Sequence, residues 1–301
     1  MKLSDILLSP KGLAPCDASP EAFLECVREA AGARGLVAEL EGNGDPREPA
    51  RIHAVFASPG APASRATLLF LHGKGGCGAE WRRDAERALG LGYNVLVPDL
   101  RGHAPSTGTR ITYGILESVD MALLVADAAR RFRLDPARVG VDACSAGCLT
   151  ALQYAARSGA AALWLQAPFA ALPEMALRYG SRVTGLPPAV LALPMRVALF
   201  CIERGDGLLL PDDLDPIAAA RRITCPTTVV HGESDTLVPA AFSDPLLAAL
   251  TGEKELWRVP RCGHCHHPDE PQAILKREYV ARWTAFFGRH LPPRVGYHRA
   301  P

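Results

Sequence analysis

The sequence predicts an α/β fold, with a doubly wound and mostly parallel sheet flanked by helices. Two patterns carry this expectation. From Ala66 onward, short apolar runs that end in polar or glycine-containing turns alternate with helical patterns. Those runs are also apolar on both faces, as strands covered by helices on two sides must be. The chain has 301 residues, 48% hydrophobic and 22% charged, which suits a globular α/β protein.

The elements follow in order. "MKLSDILLSPKGLAP" carries Asp5, Pro10 and Pro15 and has no apolar central region, so no signal peptide is expected. "SPEAFLECVREAAG" predicts a helix with Ser19 as its N-cap and glutamates in its first turns. "GLVAEL" and "RIHAVFA", separated by the turn-rich "EGNGDPREP", predict an antiparallel hairpin at a sheet edge. Six buried strands are then expected in "ATLLFLHG", "GYNVLVPDLRG", "RVGVDACS", "AALWLQAPF", "TTVVHGESD" and "KELWRVPRCGH". Helices are expected between them in "AEWRRDAERALGLG", "ESVDMALLVADAARRF", "LTALQYAARSG" and "AAFSDPLLAALTG", with "PQAILKREYVARWTAFFGRHL" closing the chain.

One connection is too long for a simple crossover. More than about 50 residues separate "LQAPF" from "TTVVHG". A short helical lid is expected there, over approximately 171–222, because "LALPMRVALFCI" has more apolar side chains than one helix face can hide. "PPAVLALPMRVALFCI" is broken by Pro194 and Arg196 and is too short to span a bilayer. With no internal repeat or long linker, residues 1–301 are expected to form one domain.

A net charge of +1 gives no electrostatic reason to expect nucleic acid or an anionic membrane as partner. The pairs Arg82-Arg83, Arg130-Arg131 and Arg221-Arg222 read as solvated helix faces. Nine cysteines without an export signal predict reduced thiols and a cytoplasmic protein; an odd number cannot pair completely within one chain.

The chemistry concentrates in a few segments. In "RVGVDACSAGCLTAL" a β-branched strand stops, Ser145 follows, and a helix starts at once. Such an elbow lifts the serine oxygen above the sheet edge, beside the positive end of the helix dipole. Ala143 and Gly147 are small enough to let strand and helix approach. Alternatively, Ser145 only caps the helix. "LLFLHGKGG" ends a strand in a glycine loop whose backbone N–H groups can stabilise an oxyanion. Asp235 follows the next-to-last core strand and His264 the last, about 90 and then about 30 residues further on.

"RCGHCHHPDE" invites other readings. Cys262, Cys265 and His266 spell C-x-x-C-H, as in c-type haem attachment. The same residues with His267 offer thiolate and imidazole to zinc, but no second Cys/His cluster completes a four-ligand set.

Taken together, "HGKGG", "PDLRGHAPS", "ACSAG", "HGESDTLVP" and the final "GH" resemble the α/β-hydrolase superfamily from about Thr67 to His290. The resemblance is closest to its esterase and serine-aminopeptidase-like branch. It implies an eight-stranded sheet and a triad of Ser145 as nucleophile, His264 as general base and acid, and Asp235 orienting the imidazole. It also implies backbone N–H groups of Lys74 and Ala146 as oxyanion donors, and neither cofactor nor metal. His72, His103 and His231 are then expected in loop hydrogen bonds, and Asp99 in a structural role. Glu233 is the rival to Asp235, and the D-x-x-V-P context favours Asp235. Two departures stand out. Ala143 occupies a position where the family usually has glycine. Cys144 adjoins the nucleophile; one position early for the elbow, it is expected to point away as packing or pocket wall. Cys262 and Cys265 are expected to flank His264 by accident or to line the pocket.

The function expected is hydrolysis of an ester, thioester or amide of a small molecule through an acyl-enzyme. The alternatives are a peptidase of the serine-aminopeptidase type, a non-catalytic binding protein of the same fold, and a metal-binding protein using the Cys/His cluster.

Overall fold

The computed structural model describes residues 18–170, 172–194, 196–197, 215–265 and 273–294. The N-terminal segment read for a signal peptide, part of "LALPMRVALFCI", and His266 and His267 lie outside the described residues.

The first described element is helix α1 (Pro20–Ala31), capped as expected by the Ser19 hydroxyl, which accepts from the Ala22 N–H. Strands β1 (Leu36–Asn43) and β2 (Arg51–Ser58) form the antiparallel edge hairpin. Alternation follows through β3 (Thr67–Leu71), α2 (Arg82–Gly90), β4 (Asn94–Pro98), α3 (Ile115–Phe132), β5 (Val139–Cys144), α4 (Ala146–Ser158) and β6 (Ala162–Gln166). After helices α5 (Leu172–Thr184) and α6 (Pro216–Ala220) come β7 (Thr227–Gly232), α7 (Asp244–Ala249), β8 (Lys254–Val259) and α8 (Ala273–His290). The eight strands lie in one sheet in the order β1-β2-β4-β3-β5-β6-β7-β8. All pairings from β4 to β8 are parallel, so their carboxyl ends share one edge.

Strand alternation builds two cores. Leu69 and Leu71 of β3 face one layer with Met121 and Leu124 of α3 and Leu149 and Leu152 of α4. Leu68 and Phe70 face the other with Val27 of α1, Ala85 of α2, and Trp283 and Phe287 of α8. This is why β3 to β7 read as unbroken apolar runs. Every residue of β3, β4, β5, β6 and β7 is buried.

One polar link crosses that second layer. Asp142 of β5 is fully buried and accepts from Trp283 Nε1 at 2.7 Å and Gln166 Nε2 at 2.8 Å. Burial pushes its carboxyl pKa well up. The C-terminal helix is thereby tied to the strand that ends at Cys144.

Candidate active site

β5 ends at Cys144 and α4 begins at Ala146, which leaves Ser145 alone at the corner. Its backbone has φ 52° and ψ −122°, a region that side chains with a Cβ avoid. The corner closes because Gly147 has no side chain: a Cβ there would lie 2.5 Å from the Leu71 carbonyl oxygen. The Ser145 hydroxyl makes no capping bond to α4. Instead its Oγ lies 3.0 Å from Nε2 of His264.

The imidazole is held from its other side, with His264 Nδ1 2.7 Å from Asp235 Oδ2. A carboxylate can only accept, so this contact places the proton on Nδ1 and leaves Nε2 free to accept from the serine. Asp235 Oδ1 also accepts from the N–H groups of Leu237 and Val238, at 2.9 and 2.8 Å. Burial alone would raise this carboxyl's pKa. The neighbouring His231 and His264 rings and the Val238 N–H outweigh burial and hold it well below the ordinary carboxylate range. Glu233, the rival candidate, is exposed.

Gly232 ends β7 directly under the histidine loop. A Cβ there would sit 2.2 Å from the Gly263 carbonyl oxygen and 2.4 Å from that of Cys262. The loop after β8 can therefore lie flat across the end of β7, where the Ser234 N–H donates to the Cys262 carbonyl at 2.9 Å.

Ser145 and His264 open into a cleft of about 580 Å³, shared with Gly73, Lys74 and Ala146. Its apolar wall includes Tyr113, Leu172, Met175, Tyr179 and Leu237. The Lys74 ammonium sits 4.3 Å from the centre of the Tyr179 ring, and burial lowers its pKa to about 8. The loop that carries Lys74 is fixed from behind by two histidines. The Gly75 N–H donates to His103 Nε2 at 3.0 Å, and the Leu100 N–H donates to His72 Nε2 at 2.9 Å. His72 Nδ1 in turn donates to the Gly73 carbonyl. Burial, with His103 alongside, pushes the His72 pKa down to about 4, so its ring stays neutral and able to accept. Asp99 is structural, accepting from the Gly78 N–H at 2.8 Å.

Residues 68–277 match the model of the "Alpha/beta hydrolase family". The chain belongs to the alpha/beta hydrolase family. An uncharacterized protein of Bacillus subtilis, YqkD, is 29% identical over 172 residues, which are 56% of this chain and 55% of that protein. An uncharacterized protein of Mycobacterium tuberculosis is 30% identical over 176 residues, 58% of this chain and 54% of its own. The chain thus spans about half the length of these curated relatives. Among solved structures, the Pyrococcus furiosus esterase Pf2001 superposes with a TM-score of 0.70 at 18% identity, over 94% of this chain and 98% of that one. At that identity the likeness is one of fold.

Within this family frame, the cysteines need correction. Cys144 and Cys265 form a disulfide, with Cα atoms 6.2 Å apart and a sequence separation of 121. The expectation of reduced thiols throughout is overturned for this pair. Cys144 is a wall of the cleft, as expected, and so is Cys265. Cys262 is buried and is not part of a disulfide. The reason the pairing escaped the sequence is distance: only the folded sheet brings the elbow and the loop after β8 to one edge. A second disulfide involves Cys77. Among the described residues, no three His, Cys, Asp or Glu side chains converge into a metal-binding group. No helix among them is long and apolar enough to cross a membrane.

Proposed function

We propose that this protein is a serine hydrolase that cleaves carboxylic ester, thioester or amide bonds of small molecules through an acyl-enzyme. The reading rests chiefly on one observation: Ser145 Oγ stands 3.0 Å from His264 Nε2 while His264 Nδ1 stands 2.7 Å from Asp235. Ser145 attacks the carbonyl carbon as His264 takes its proton. His264 then protonates the leaving group, and a water activated by the same nitrogen releases the acid. The ionised Asp235 holds the ring and stabilises the imidazolium that forms. The oxyanion would be met by the N–H groups of Ala146, at the start of α4, and Lys74, which line the cleft beside Ser145.

We assign the segment of approximately 171–222 as a lid within a single domain. Leu172, Met175, Ala176 and Tyr179 of α5 wall the cleft, whereas Val190 and Leu193 beyond it are 58% and 72% exposed. Pf2001, described as an esterase, matches this chain over nearly its whole length, which favours esters as the first substrates to test.

The test uses a fluorophosphonate probe and p-nitrophenyl acetate. Wild type should be labelled at Ser145 and should turn the ester over. Ser145→Ala should lose both with an unchanged circular dichroism spectrum, because removal of a triad nucleophile costs several powers of ten in kcat. Full activity in Ser145→Ala would refute the proposal.

A further inference from the structure

The Cys144–Cys265 bridge adjoins both members of the Ser145–His264 pair. Cys144 immediately precedes the serine, and Cys265 immediately follows the histidine. One covalent link therefore joins the peptide that carries Oγ to the peptide that carries Nε2. The histidine loop needs such a hold. Arg261 and Cys265 both have left-handed backbones, with φ 59° and 51°, a conformation that costs free energy for any residue bearing a Cβ. Gly263 lies between them, and among the described residues other than its chain neighbours no atom is within 4 Å of where a Cβ would stand. On its upstream side the loop is fixed by the Ser234 N–H bond to the Cys262 carbonyl. Next to His264 on its downstream side, the bridge to Cys144 supplies the anchor.

The bridge is also reachable. Both sulfur-bearing residues line the open cleft, and Cys265 is only partly buried. From these observations we infer that the Cys144–Cys265 disulfide is a redox-modifiable staple that positions His264 against Ser145, so that a dithiol reductant entering the cleft lowers turnover. The inference rests on the Ser145–His264 reading given above.

The chemistry balances as thiol–disulfide exchange. A thiolate of the dithiol attacks the more exposed Cys265 sulfur and forms a mixed disulfide, and Cys144 leaves as a thiolate. The second thiol of the reductant then displaces Cys265 and closes the reductant's own disulfide. Two electrons pass to the protein, and two protons end on the Cys144 and Cys265 thiols. Oxidation of the pair by a disulfide of the same class reverses every step. Cys144 and Cys265 act here as positioning residues, since neither sulfur needs to touch the substrate.

The experiment compares air-oxidised protein, dithiothreitol-treated protein and protein reoxidised with a dithiol-derived disulfide, all well below the melting temperature. Alkylation with peptide mapping reads the state of Cys144 and Cys265. The fluorophosphonate labelling rate at Ser145 and the kcat and KM for p-nitrophenyl acetate read the site. Opening the bridge should lower kcat and the labelling rate, on the order of 10²-fold for a base displaced by about 1 Å, with little change in KM. Reoxidation should restore both. The double variant Cys144→Ala/Cys265→Ala should sit at the reduced level and ignore dithiothreitol, which separates this bridge from the one involving Cys77.

Three results overturn this inference alone: two free thiols at Cys144 and Cys265 in oxidised protein, an unchanged kcat when mapping shows the bridge open, or a dithiothreitol effect that persists in the double variant. Absence of Ser145 labelling in fully bridged protein is a separate outcome. It removes the hydrolase reading and the positioning role together. An unchanged kcat on reduction, by contrast, leaves the hydrolase reading standing.

Discussion

At the residue scale, the site is a matter of which atoms hold protons. His264 can accept from Ser145 only while its Nδ1 proton is held by Asp235, so Asp235→Asn should present the wrong tautomer. The expected loss is on the order of 10⁴-fold in kcat, with binding little changed, measured on p-nitrophenyl acetate. The same residue makes a prediction about stability. The Asp235 pKa is depressed in the folded protein, despite its burial, by His231, His264 and the Val238 N–H. Its contribution is therefore complete above the ordinary carboxylate pKa of about 3.9 and is lost as pH falls toward the folded value. Urea unfolding of wild type and Asp235→Asn should show a wild-type advantage at pH 7 that shrinks at pH 3. An advantage independent of pH would contradict the assigned ionisation.

At the element scale, two close approaches do the positioning, one between backbones and one between a helix and a strand. The loop after β8 rests on the end of β7 because Gly232 has no side chain, and a Cβ there meets the Gly263 and Cys262 carbonyl oxygens. Gly232→Ala should therefore push the histidine loop outward. It should lower kcat on the order of 10²-fold, since a small misplacement of the base is enough, while overpacking costs about 1–3 kcal/mol in stability. Turnover and thermal melts of the variant check both, and an unaltered kcat would mean that the loop has room to spare. The second approach is that of α8 to β5. Trp283→Phe keeps an aromatic ring beside Phe287 but strips the fully buried Asp142 of one donor. About 1–3 kcal/mol of stability should be lost, with kcat nearly preserved, because the carboxyl lies beneath the elbow and not in the cleft.

At the scale of the whole molecule, the proposed hydrolase would seat its acyl group in the cleft of about 580 Å³ walled by Leu172, Met175 and Tyr179. Short to medium acyl groups are the expected substrates. Each buried methylene adds about 0.8 kcal/mol, so kcat/KM should climb with acyl length and then level off. A series of p-nitrophenyl esters from acetate to palmitate measures this, and a continuous rise to palmitate would contradict that expectation. The same scale separates what was legible in the chain from what was not. Strand alternation, the antiparallel edge hairpin and the elbow at Ser145 were readable, because burial on two faces and the strand–serine–helix junction leave local signatures in residue type. So were Asp235 and His264 as candidates, since in a parallel sheet every strand delivers its following loop to one edge. The Cys144–Cys265 bridge, the Gly75 N–H as the partner of His103, and the α5 side chains that wall the cleft were not legible, although a loop hydrogen bond for His103 and a pocket-wall place for Cys144 were. These contacts join residues far apart in sequence, and no local period records them. The sequence by itself determined which side chains reach that edge; only the tertiary structure decided which of them touch, because contact depends on how the loops after β3, β5, β7 and β8 converge once the sheet has formed.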